Sequence, residues 1–219
     1  MAEASTGDHP AAADEHPRVD RFEIVEVLIL AFVAIATAWS GYQATQWGGR
    51  QATLYGQAST TRFLADAAST RGGQILIADA TFFTAWLQAR SAGDARLQAD
   101  LVQRFSPEYR TAFHEWLQTD PFHDPAAPAG PGYVPGFSQP DLVQADQLNG
   151  QASALFAQGT EARETANKYV RDTVLFASVL FVTGVAQRFK DRRVKRWAIA
   201  LAVVLLSFTL VTVVTLPRA

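Results

Sequence analysis

Apolar residues cluster in three places along the chain, and between the first two the pattern changes to a spaced repeat. From Val27 to Gly49 no charged residue occurs, and the stretch holds the run VLILAFVAIATAW. A second uncharged stretch runs from Thr173 to Gln187 and a third from Trp197 to Pro217. A helix crossing a bilayer needs roughly 20 apolar residues at about 1.5 Å rise each. The first and third stretches meet that length, and the second meets it once Tyr169 and Val170 are included. These patterns predict transmembrane helices over residues 22–41, 169–187 and 197–217.

Between the first two, small or apolar residues recur at alternating steps of four and three. One series is Val33, Thr37, Ser40, Ala44, Trp47, Gln51, Leu54, Ala58, Thr61, Ala65, Ala68. The other is Ala145, Leu148, Ala152, Leu155, Gly159, Ala162, Ala166, Tyr169, Thr173. That spacing marks a packed helical seam, and small residues let two backbones approach closely. The expectation is two long antiparallel helices, each continuous with a membrane span. Gly48-Gly49 is a place for a kink, and Gly72-Gly73 is the expected end of the first helix.

A bulkier segment follows. Leu76, Ala80, Phe83 and Leu87 share a face, with Phe82 and Trp86 beside it; Leu97, Leu101 and Phe105 form another. Ser106-Pro107 is a helix start, with Ser as N-cap and Pro in the first turn. The helix after it presents Tyr109, Phe113, Trp116 and Leu117, and these rings are the expected core. Prolines and glycines from 121 to 140 exclude helix and central strand, leaving a long loop, after which Asp141 is the expected cap of the last helix. No β pattern is present. The fold class expected is an all-α membrane protein: three transmembrane helices with an extracytoplasmic helical bundle, residues 42–168, formed largely by extensions of spans one and two.

Charge sets the expected orientation. The segment RFKDRRVKR, residues 188–196, carries Arg188, Lys190, Arg192, Arg193, Lys195 and Arg196 against Asp191 alone. A short loop so basic belongs on the cytoplasmic side, where it also faces membrane lipid. The N-terminus is then cytoplasmic, residues 42–168 lie outside, and the C-terminus ends outside. Phe22, Phe189 and Trp197 fall at one interface and Trp39, Tyr42, Trp47 and Tyr169 at the other. Ala36-Thr37-Ala38 after an apolar run has the form of a signal-peptide cleavage site, but the long leader with Glu23 and Glu26 is not the short basic start such a peptide has. Residues 1–21, rich in Ala, Asp, Glu, His and Pro, are expected to form a disordered cytoplasmic tail.

Composition removes several function classes. The 219 residues carry a net charge of −2, which gives no basic face for nucleic acid. With no cysteine, disulfides, thiolate nucleophiles and Cys-based metal sites are excluded. The metal-ligand types His114, Asp120, His123 and Asp124 cluster with Glu115 in HEWLQTDPFHD, but their spacing fits no metal motif, and a polar helix end is the simpler reading. His9 and His16 belong to the tail. Glu23 and Glu26 share a face and are expected opposite the basic segment; Arg171 and Asp172 sit at the mouth of span two. No charge occupies the middle of a span, which argues against a stand-alone transporter. No G-x-S-x-G, H-E-x-x-H or phosphate-binding Gly loop occurs, so no catalytic or cofactor-binding residue is assigned.

Taken together, AIATAWSGYQATQWGG, RFSPEYRTAFHEWLQTDPF with its Pro-rich sequel, and ANKYVRDTVLFASVLFVTGVAQRF resemble a group of uncharacterised bacterial three-span inner-membrane proteins, over about residues 22–217. The resemblance implies a bacterial cytoplasmic membrane and transfers no site residue. The expectation is a non-enzymatic membrane protein whose outer bundle binds a protein partner or small ligand, or which forms a homo-oligomer. Its rivals are an accessory subunit of a transporter or channel, and a membrane enzyme using the His/Asp cluster.

Overall fold

The computed structural model describes residues 21–189 and 191–218, with side chains from Ile24 onward. The tail, His9, His16, Lys190 and the side chains of Phe22 and Glu23 lie outside the described residues. Every regular element described is helical: α1 Arg21–Ser91, α2 Ala95–Arg104, α3 Pro107–Gln118, a single 3-10 turn at Pro131–Tyr133, α4 Pro140–Ala186 and α5 Arg192–Thr215. Three of them, α1, α4 and α5, are long and apolar enough to cross a membrane.

Two units share the long helices. One takes in the described residues of Met1–Gln46 and Thr165–Ala219; the other is Trp47–Glu164. In the first, the apolar unit, Val33, Phe176, Val179 and Ala202 pack together from α1, α4 and α5. Helices α4 and α5 run antiparallel, tied where the Tyr169 hydroxyl donates to the Pro217 carbonyl at 3.2 Å and Thr212 Oγ1 donates to Asp172 Oδ1 at 3.2 Å. The basic stretch expected as a loop over 188–196 is only partly one. Asp191 accepts the Arg193 N–H at 2.8 Å, caps α5, and makes Arg192 to Arg196 its first turns.

In the second, the aromatic unit, the seam is visible as burial. Ala58, Ala65 and Ala68 on α1 and Ala145, Ala152 and Ala162 on α4 are buried. The helices are antiparallel here: Tyr55 stacks on Phe156 at 5.0 Å, while seventeen residues on along α1 Gly72 meets Leu142. The expectation that Gly72-Gly73 ends the first helix is wrong, because α1 continues to Ser91. Gly72 is there for its missing side chain: a Cβ would lie 2.8 Å from Leu142 Cδ2 and 2.9 Å from Gln139 Oε1. Gly159 is the counterpart on α4, where a Cβ would lie 2.6 Å from the Tyr55 ring. The helix also runs unbroken through Gly48-Gly49. The break comes at Gly93, whose φ of +75° is left-handed, and Asp94 then caps α2 by accepting the Leu97 N–H at 3.0 Å.

A second correction concerns the start of α4. The side chain of Gln139, not Asp141, accepts the Leu142 N–H at 3.0 Å, beside the Gln139 carbonyl at 3.1 Å. Pro140 opens the helix, and Asp141 turns instead to Arg71 at 3.2 Å. Gln139 holds the cap because it precedes Pro140, which occupies the first helical position and lacks an N–H to satisfy.

Candidate functional site

The aromatic unit carries the densest core. Trp86 from α1, Phe105 after α2, and Tyr109, Phe113 and Trp116 from α3 are buried together. The rings meet mostly edge to face, with Trp86 and Phe113 4.9 Å apart and Phe83 and Trp116 5.1 Å apart. One polar knot crosses this core. Asp79 is buried on α1, and its two carboxylate oxygens accept the Ser106 N–H at 2.8 Å and the Ser106 hydroxyl at 2.6 Å. Ser106 Oγ in turn accepts the Tyr109 N–H at 3.4 Å, as the Ser-Pro start requires. Burial, and then the charge of Asp79, push the Tyr109 phenol up to about 12. Asp79 was not singled out in the sequence, yet the signal was there: Ala58, Ala65, Gly72, Asp79 and Trp86 fall seven apart along one buried line.

The long loop after α3 is folded onto this core. The Trp116 indole N–H donates to the Pro128 carbonyl at 2.7 Å, and the Arg90 guanidinium sits 3.8 Å over the Phe122 ring. The four metal-ligand types do not gather. His114 lies on α3 with its ring against Phe113. Asp120 takes a left-handed φ of 47° past the helix end and pairs with His123 Nδ1 at 2.8 Å. Asp124 accepts the Ala126 N–H and shapes the next turn. Among the described residues no three His, Asp or Glu side chains are placed to hold a metal ion.

Two surface grooves belong to this unit. One, of about 250 Å³, runs between α3 and the loop and sets Glu108, Thr111 and Glu115 opposite Ser138. The other, of about 500 Å³, is floored by the stacked Tyr55 and Phe156 and rimmed by Ser59, Arg62, Phe63 and Asp66. Phe63 stands 71% exposed there. Sequence reading missed both, because each is made by residues far apart in the chain.

The apolar unit buries several polar groups. Glu26, expected to face the basic segment, does so: its Oε1 lies 3.1 Å from Lys195 Nζ, although off the line of a good hydrogen bond. Ser40, Gln43, Asp172, Thr183 and Thr209 are also buried in this unit. Asp172 Oδ2 and Ser40 Oγ have no hydrogen-bond partner among the described residues. The outer faces of the same helices carry Ile35, Val174, Phe181, Val204 and Phe208.

These features define a class: an all-helical protein with three helices long and apolar enough to cross a membrane, joined to a helical unit with an aromatic core. No family model, curated protein or solved structure matches the chain.

Proposed function

We propose that the protein is a non-enzymatic, multi-pass protein of the bacterial cytoplasmic membrane whose aromatic unit lies outside and binds a protein partner or small ligand. The groove of Tyr55, Phe63 and Phe156 carries this reading. An exposed phenylalanine over a stacked aromatic floor, with Arg62 and Asp66 at the rim, suits an apolar side chain flanked by charge. The orientation rests on the basic residues after α4 and in the first turns of α5, which favour the cytoplasmic side. The bacterial membrane rests on the resemblance of the three quoted stretches.

A photo-crosslinking residue at Phe63, in cells expressing the full chain, tests the binding reading. One discrete adduct that is absent with the same residue at the exposed Gln57 is expected; identical patterns at both positions refute the groove. Orientation is checked separately, since the chain has no cysteine. A cysteine at Ser91 is expected to react with an impermeant maleimide in intact cells, and one at Arg188 only after lysis. The reverse pattern inverts the proposed topology.

A second reading, an accessory subunit of a transporter or channel, draws support from the buried Ser40, Asp172 and Thr209. Substrate flux unaltered by deletion of the gene counts against it. The enzyme reading draws no support from His114, Asp120, His123 and Asp124, of which only Asp120 and His123 meet.

A further inference from the structure

Helix α5 places Arg193, Arg196, Trp197 and Ala200 at spacings of three, four and seven, which puts all four on one face. They line a groove of about 410 Å³. Among the described residues neither arginine has a carboxylate partner; the nearby Lys195 is already committed to Glu26, and Asp191 to the helix cap. Trp197 is 79% exposed. Ala200 leaves the groove open where a larger side chain would close it. Beyond it an exposed apolar stripe continues along the same helix: Leu201, Val204, Phe208 and Val211.

We infer that this groove binds one anionic phospholipid, its phosphate held by Arg193 and Arg196, its glycerol region against Trp197, and an acyl chain along Leu201, Val204, Phe208 and Val211. The inference rests on the reading of α5 as a membrane-crossing helix. Guanidinium groups present paired donors that match phosphate oxygens, and tryptophan favours the level at which lipid headgroups meet chains. The order of these groups along α5 is the order of those parts in a lipid: charge first, then an amphipathic ring, then a purely apolar track. A soluble phosphate would use the arginines but leave the stripe empty, so the lipid is the occupant that accounts for all of it.

The test is native mass spectrometry of the full chain released from nanodiscs of mixed phosphatidylglycerol and phosphatidylcholine. The wild type is expected to retain phosphatidylglycerol selectively, and excess glycerol phosphate not to displace it. Arg193→Gln with Arg196→Gln is expected to lower retention about tenfold. Ala200→Leu, which fills the groove without altering charge, is expected to lower it too. Arg188→Gln with Arg192→Gln removes the same charge off the groove and is expected to change retention less than about twofold. Equal losses in the two double variants, no effect of Ala200→Leu, displacement by glycerol phosphate, or no preference in the wild type each overturn the inference. Release of the protein from membranes by alkaline carbonate overturns the membrane-crossing reading itself, and is read in a separate experiment.

Discussion

The two units differ in what their interiors hold. In the aromatic unit large rings fill the interior and the polar groups that enter it are paired, as Asp79 is with Ser106 and Trp116 with Pro128. In the apolar unit the interior takes in Glu26, Ser40, Gln43, Asp172 and Thr183, while Phe181, Val204 and Phe208 face outward. A chain in water gains by hiding its apolar surface, whereas helices in lipid gain nothing from that and pack by fit, small residues and polar contacts. The contrast fits the proposed placement of the three long apolar helices in lipid and of the aromatic unit in water. The same seven-residue spacing runs through both, carrying Ala58, Ala65 and Gly72 in one and Glu26, Val33 and Ser40 in the other.

The largest effect that separates them is expected from removing a ring in each. Trp116→Ala deletes a buried indole and its bond to Pro128, at a cost of about 3–5 kcal/mol. Denaturant unfolding in mild detergent, followed with proteolysis of the 121–139 loop, is the measurement. Phe176→Ala empties an equally buried site in the apolar unit, where the cost is expected to be under half as large because no transfer from water is lost. Equal losses would break the comparison. Next in size is Asp79→Ala, which strands the Ser106 N–H and hydroxyl and is expected to cost about 1.5–3 kcal/mol. Asp79→Asn retains one acceptor and should lose less.

These residues also show how much the sequence could reveal. The three apolar helices, both seams, the Ser106-Pro107 start and the aromatic core follow from spacing and residue type, which are local properties of the chain. Gly72 was misread because a glycine that ends a helix and one that lets another helix approach look alike until Leu142 is opposite it. Gln139 was missed as a cap because Asp141 is the commoner capping residue and the backbone decides between them. Asp79 sits on the buried line, but its partner lies twenty-seven residues away and is brought near only by the turn at Gly93. The His114 to Asp124 group shows the converse: closeness in sequence past a helix end brings Asp120 and His123 together but leaves His114 on α3 and Asp124 in the next turn.

Close packing sharpens the contrast at smaller cost. Gly159→Ala drives a methyl into the Tyr55 ring and is expected to destabilise the aromatic unit by about 1–3 kcal/mol. Gly150→Ala, also on α4, meets nothing within 4 Å and should stabilise it by about 0.5–1 kcal/mol through helix propensity. Opposite signs at two glycines of one helix, read by thermal unfolding, would confirm that the seam is set by approach rather than by composition.

The smallest effect is a pH dependence confined to the aromatic unit. Tyr109 has its proton held more tightly in the fold than in the unfolded chain, whose tyrosines ionise near 10, so its contribution is fully present below pH 10. Above that the unfolded state loses its proton first and is favoured, and the contribution falls away up to about pH 12. Tyr109→Phe is expected to flatten the alkaline fall in melting temperature between those limits, after its own loss at neutral pH is subtracted. An absorbance titration near 295 nm in detergent should show one fewer phenol ionising at the upper end of that range. An unchanged profile would place Tyr109 in contact with water and would leave Asp79 and Ser106 less sheltered than the buried core requires.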